Sequence, residues 1–392
     1  MKAYIIKNKI KIEPFSEDSG ELLIGNKRLK DLQKESLESL GIITVFFDSN
    51  SKINDDNEYL IFDEGIYFSP SLLREFIDKS KETNSPTVCS LKPGIFTKQT
   101  IVNTQNVKQH ENRVEYNIFY YPEKNFRNQE IKPIILDIDN EQESLNLPEH
   151  MYKQSSYPIP LTEKVIVQVD HWANLWTANL MSILSRLASL KKISKFKLIA
   201  LILKNHSLNK WKILGSLNNF GKNCDIHHTA CIEGSLIGNN VTIGAGAVIR
   251  NSTIGDGCLI GNGVIIETSV IGEKSSILNG HIIFCVIYPG FFTITQAVST
   301  SVIGRDCFIG LGAVLTDFRL DNKSISVIKD GVKIDTGSTL LGCCLGNNVY
   351  LGSGCIVAPG RIISNGTHIS LSEEKVITGI SDKKEINGFR II

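Results

Sequence analysis

"SLIGNNVTIGAGAVIRNSTIGDGCLIGNGVIIETSVIGEK", residues 235–274, sets down an aliphatic residue every five or six positions. From Ile237 the series runs through Ile243, Ile249, Ile254, Ile260, Ile266, Ile271 and Ile277 to Ile283, a spacing of six, six and five that repeats every 17 residues. A helix needs a period of 3.6 and an open strand a period of two, so neither explains the series. Hexapeptide spacing belongs to parallel β-helices, in which each coil is a triangle with one aliphatic side chain per face pointing inward. Glycine and asparagine fall at the corners, where a β-carbon is penalised.

Four residues after each aliphatic lies a second inward position with room only for a small side chain. Val241, Ala247, Cys258, Val264, Ser275, Cys307, Ala313, Val349, Cys355 and Thr367 occupy it. The assignment makes core residues of Cys258, Cys307 and Cys355. After Ile283 the rhythm lapses, returns at Ile303, Ile309 and Leu315, lapses across 316–340, and resumes at Leu345, Leu351, Val357, Ile363 and Ile369. Two loops are therefore expected to leave the coil, and loops on a solenoid are where function sits.

The chain has 392 residues, enough for two domains, and a formal net charge of +1. Lysines and glutamates interleave, which argues against a nucleic-acid or membrane-surface binder and favours small or neutral partners. No apolar run is long enough to span a bilayer, so no membrane insertion and a cytoplasmic location are expected. Nine cysteines spread over so long a chain read as reduced thiols rather than a disulfide framework.

Upstream of the coil, "AYIIKNKIKI" alternates like a strand, "LKDLQKESLESLG" has helical spacing, and "IITVFF" reads as a buried strand. "SPSLLREFIDKSKE" opens on a serine cap and continues as an amphipathic helix before "TVCSL". Strand and helix alternate, which predicts an α/β domain with a largely parallel sheet. The domains are read as 1–190, a linker 191–222, the coil 223–372 and a tail 373–392; the pairing of 100–160 is left open.

Two upstream segments resemble sugar-1-phosphate nucleotidyltransferases. "LIFDEGIYFSPSLLREFI", residues 60–77, looks like their strand, aspartate, loop and helix, and "VDHWANLWTAN", residues 169–179, is similar to their second aspartate segment. The resemblance implies Rossmann-like architecture and places Asp63 and Asp170 at nucleotide and metal positions, with Mg2+ between phosphate oxygens. The other reading of both aspartates is as helix or turn caps. The stretch "YIIKNKIKIEPFSEDSGELLIGNKRL" departs from that family, lacking the paired glycines and arginine of its phosphate loop.

The coil resembles the left-handed β-helix of the hexapeptide acyltransferases. The whole order, nucleotidyltransferase-like domain then left-handed β-helix, resembles the bifunctional UDP-N-acetylglucosamine pyrophosphorylase and glucosamine-1-phosphate acetyltransferase family. Residues 301–360 carry that likeness, with "DFRLDN" after a coil, a lysine-bearing hairpin around "KDGVK", and "TG" before the coil resumes. The resemblance implies a transferase of sugar-nucleotide or cell-envelope precursor metabolism, a homotrimer with an acyl-CoA such as acetyl-CoA bound along the coil, and a sugar phosphate or nucleotide sugar as partner. It places Asp317, Arg319, Asp321 and Lys323 at the acceptor sugar.

Acyl transfer to an amine needs a base. The position that holds a histidine in the relatives is Ile294 here, and His281 is the histidine nearest to it in sequence, making it the candidate catalytic residue beside the reading as an ordinary surface or core histidine. The relatives' basic residues after "TG" are replaced by Ser338, Thr339 and Leu340. Both centres are thus altered, and the alternative to an enzyme is a trimeric scaffold or sensor that binds a nucleotide sugar. "CDIHHTAC", residues 224–231, has metal-like spacing, but Ile226 and Ile232 in it already keep the coil count, so no structural metal is expected.

Overall fold

A computed structural model describes residues 1–7, 10–48, 53, 57–123, 130–138, 141–146, 148–149, 156–192, 199–203, 206, 208–372, 385–386 and 389–390. Most of the expected tail, and parts of the expected linker, lie outside these residues.

The N-terminal part is built on β1 (Lys2–Lys7), α1 (Leu29–Ser39), β2 (Ile43–Asp48), β3 (Tyr59–Asp63), β4 (Ile66–Phe68), α2 (Pro70–Thr83), β5 (Thr87–Leu91), β6 (Val114–Tyr121), β7 (Lys132–Leu136), β8 (Ile166–Gln168) and α3 (Trp172–Lys191). The main sheet runs β7-β5-β6-β3-β1-β2. Strand β1 is parallel to β2 and β3, and β7 to β5, while β6 is antiparallel to both its neighbours. The sheet is therefore largely parallel with one reversed strand, which the polar and aromatic sequence around it conceals. β2 is an edge strand, so Ile43 is 64% exposed rather than buried as its apolar run suggests.

Helix α2 starts where the sequence places it, with Ser69 Oγ accepting from Leu72 N at 3.4 Å, and ends at Asn84 in the left-handed region (φ 47°).

From Asn219 to Ile369 the chain winds into coils whose strands stack in parallel into three faces. This geometry fits a left-handed β-helix. The first face runs from Asn219–Phe220 to Ile362–Ile363, the second from Asp225–Ile226 to His368–Ile369, and the third from Cys231–Glu233 to Ala297–Ser299. Ile237, Ile243, Ile249, Ile254, Ile260, Ile266, Ile271 and Ile277 are buried together with the small residues Val241, Ala247, Cys258, Val264, Cys307 and Ala313. Burial raises the thiols of Cys258 and Cys307 to about 11, so they are inert core atoms.

Two expectations about the coil fail. The inward residue after Ile277 is Ile282, fully buried, and not Ile283. The corner between them is one residue short and turns on Gly280 at φ 109°. The coil also does not lapse between 284 and 302. It continues through Ile287, Thr293 and Val298, with Thr293 in an inward slot where its hydroxyl donates to Ile309 O at 3.0 Å. Only the second expected loop leaves the coil among the described residues. It carries the hairpin Ser326–Lys329 and Val332–Asp335, reversed at Asp330 and Gly331, both with positive φ as a tight hairpin turn requires.

The first face packs directly on the N-terminal part. Val286, Tyr288, Val302, Ile325, Val327, Leu341 and Cys344 belong to the same buried cluster as the α/β core. Trp176 Nε1 donates to Phe284 O at 2.7 Å, Leu23 N donates to the Tyr288 hydroxyl at 2.8 Å, and Phe15 stacks on Tyr288. The N-terminal core thus extends onto the outside of the coil, while the coil's inward residues form a second core of their own.

Candidate functional site

Two places hold the residues singled out in the sequence. The first lies where β3 and β8 end. Strand β8 pairs antiparallel with β4, and Val169 N donates to Gly65 O at 2.8 Å, which brings Asp63 and Asp170 close enough for their charges to interact across what is termed the aspartate pocket. Asp63 Oδ1 accepts from Gly65 N at 2.7 Å, an Asx turn that fixes the strand exit. Asp170 is 7% exposed; its Oδ2 accepts from Asn106 N at 2.7 Å and its Oδ1 from Gln168 Nε2 at 3.1 Å. Burial pushes the Asp170 carboxyl above the ordinary range, against the pull of Asn106 N, Lys329 and Gln168.

Sequence reasoning missed what covers this pocket. The hairpin of the coil lies across it: His171 Nε2 donates to Ile328 O at 3.1 Å, and Lys329 Nζ donates to Thr104 O and to Asn106 Oδ1, both at 2.8 Å. Asn103 Nδ2 holds the other hairpin strand through Asp335 O at 3.1 Å. His171 also caps α3, its Nδ1 accepting from Ala173 N at 3.2 Å.

The pocket is a poor fit for magnesium. That ion wants six oxygens in an octahedron. Here both Asp170 oxygens already accept hydrogen bonds, an ammonium group sits within Coulombic range, and Gln168 Oε1 is the one acceptor of Gln168 and Asp170 left without a partner among the described residues. Lys27 and Arg28 do not supply a phosphate cradle either, since Lys27 pairs with Glu35 and Arg28 with Asp31 at the start of α1.

The second place is the third face of the coil. His281 stands in register between Ile265 and Ala297, and its Nε2 lies 3.0 Å from Glu267 Oε2. Glu267 is in turn 3.5 Å from Arg250, which reaches Glu233 at 2.8 Å, so charges of alternating sign climb the coil to the histidine. His281 remains 41% exposed. Glu267 was missed because it lies one coil below His281.

Asp317, Arg319, Asp321 and Lys323 begin the excursion after the strand Val314–Leu315, two coil steps above His281 on the same face. Arg319 and Asp321 clasp each other in the open (2.9 and 2.5 Å), and Lys323 N donates to Asp321 at 3.3 Å. Asp317 O accepts from Leu341 N at 3.0 Å, tying the two ends of the excursion. In "CDIHHTAC" the rings of His227 and His228 lie 4.4 Å apart, and His227 Nδ1 meets Thr229 Oγ1 at 2.8 Å. No group of three or more potential metal ligands forms among the described residues.

Against known proteins, residues 234–268 match the bacterial transferase hexapeptide (six repeats) family. Over 72 residues the chain is 36% identical to the "Uncharacterized acetyltransferase YaiX" of Escherichia coli O6:K15:H31 (strain 536 / UPEC). It is 35% identical to the corresponding protein of strain K12, again over 18% of this chain and 31% of the relative. The chain thus spans about a third of the length of the curated relatives it matches. A solved structure described as a glucose-1-phosphate thymidylyltransferase from Bacillus anthracis, in complex with a sucrose, is 9% identical over 46% of this chain and 95% of that one, with a TM-score of 0.29. No helix of the described residues is long and apolar enough to cross a membrane.

Proposed function

We propose that the protein is a hexapeptide-repeat acyltransferase that moves an acetyl group from acetyl-CoA to the amine of an amino-sugar phosphate or nucleotide sugar. The observation that carries this reading is the pair of His281 and Glu267 on an open face of the coil. A neutral imidazole that donates from Nε2 to Glu267 keeps its lone pair on Nδ1, the form a general base needs. The base takes the proton of the attacking amine as it adds to the thioester carbonyl, and the tetrahedral intermediate then expels the thiolate of coenzyme A. The exposed Arg319 and Lys323, with Asp317 and Asp321, hold the phosphate and hydroxyls of the acceptor. Acetyl-CoA lies along the coil of a homotrimer.

The test is release of coenzyme A thiol on a panel of amino-sugar phosphates and UDP- or dTDP-amino sugars. His281→Asn is expected to lower kcat by about 10²–10⁴-fold with an unchanged melting temperature, and Arg319→Ala to raise KM for the acceptor. A full rate in His281→Asn removes the assignment.

One observation favours a second reading, a trimeric scaffold that binds a nucleotide sugar. The lysine-bearing hairpin is docked on the N-terminal part through His171, Thr104 and Asn106. A thermal-shift panel separates the two. Stabilisation by acetyl-CoA supports the enzyme, and stabilisation by a finished nucleotide sugar alone supports the scaffold.

A further inference from the structure

We infer that Lys329, delivered by the hairpin of the coil, is the built-in cation for the buried Asp170 carboxylate, standing in for a divalent ion and joining the two parts of the chain at that point. Three observations converge. The ammonium is fixed from outside its own hairpin by Thr104 O and Asn106 Oδ1, both at 2.8 Å. The backbone N–H of the same Asn106 donates to Asp170 Oδ2 at 2.7 Å, so one residue holds the cation by its side chain and the carboxylate by its main chain. The turn that presents Lys329 is set by Asp330 at φ 51° and Gly331 at φ 76°, and the flanking Ile328 O is held by His171. A lysine free to wave in solvent has no such anchors.

The electrostatics agree with the geometry. Lys329 lowers the cost of ionising Asp170, and Asp170 lowers the cost of charging Lys329, each against the burial that opposes it. A buried carboxylate needs either a proton or a cation. In this chain the cation comes from residue 329 of the same molecule, and it arrives only when the hairpin docks. The pocket is then a receptor for the hairpin rather than a metal-loading centre, whichever activity the coil carries.

Two measurements on the full chain test this. In the first, Mn2+ is titrated and its free signal followed by electron paramagnetic resonance. The expected result is no stoichiometric uptake by the wild type; one equivalent bound tightly by the wild type would overturn the inference. In the second, a double-mutant cycle of Lys329→Met and Asp170→Asn is read as melting temperature. Coupled residues give a double variant whose loss is smaller than the sum of the single losses. Strict additivity would also overturn the inference, and the Mn2+ titration decides it on wild-type protein even where a variant fails to fold.

Discussion

The first and second faces of the coil share the same inward packing and differ in what lies outside. Outward residues of the first face, Val286, Val302 and Cys344, are buried, because the N-terminal part covers them. Outward residues of the second face are mixed, with Thr242 and Ser276 among them, but they include an aromatic run, Phe292, Phe308 and Tyr350, of which Phe292 is 38% and Tyr350 43% exposed. Coil residues that point outward are free to be polar, so apolar ones there imply a cover. The chain supplies the cover of the first face itself; in the proposed homotrimer, a second copy would cover the second. The covered face is broken most severely at Trp176, which is 3% exposed and reaches across the seam to Phe284 O. Trp176→Ala is expected to cost about 3–5 kcal/mol, read as a lower denaturant midpoint. A loss below about 1 kcal/mol would mean that the seam contributes little to stability.

The same seam is expected to loosen in acid. Burial drops His171 from its ordinary 6.5 to about 4, with Lys329 also opposing the imidazolium and Asp330 favouring it. Both ring nitrogens are committed as the neutral form requires, one accepting from Ala173 N and the other donating to Ile328 O. Because the folded value is depressed, the unfolded chain binds the extra proton first. The stability is complete above about pH 6.5 and is lost as pH falls towards 4, by up to about 3 kcal/mol at roughly 1.4 kcal/mol per pH unit. His171→Asn keeps a capping side chain without a titrating ring. Its melting temperature is expected to fall less than that of the wild type between pH 7 and pH 4.5; parallel curves would remove His171 from the acid response.

The uncovered face is tested at Phe308, which stacks on Phe292 at 5.6 Å and meets Tyr350 edge-on at 6.4 Å. Phe308→Glu places a charge at the middle of the aromatic run. With a second copy seated there, the loss is that of an aromatic anchor, about 2 kcal/mol or more per contact, and sedimentation velocity should show the assembly fall to monomers with its circular dichroism intact. An unchanged mass would leave that face without a partner copy.

How much of this the sequence revealed follows from how local each constraint is. Each coil repeats the demands of the last, so the inward isoleucines and the cysteines at small positions were legible from spacing alone. The error at Ile283 came from one residue missing at a corner, which shifts every later count until another feature resets it. That Asp63 and Asp170 stand at strand ends was legible because each follows its own strand motif, but the motif does not show what the carboxylates hold. Lys329 was not legible, since it meets Thr104 across 225 residues and no periodicity links a hairpin turn to a loop in another part of the chain. Glu267 lies between these cases. It is 14 residues before His281, a separation that a coil count contains but that a search for adjacent catalytic pairs overlooks.

The smallest expected effect concerns the far end of α3, whose middle forms the seam. Arg186 Nη2 is buried with no hydrogen-bond partner among the described residues, and burial lowers the guanidinium to about 10. A charge removed from water without a partner opposes folding, whereas Trp176 three turns earlier on the same helix favours it. The long apolar stem of Arg186 packs like that of methionine. Arg186→Met therefore keeps most of the packing and removes the uncompensated charge, and should raise stability by about 1 kcal/mol, seen as a melting temperature a few degrees higher. A lower melting temperature would instead show that the guanidinium has a partner in the folded protein, and that α3 is favourable to the fold along its whole length.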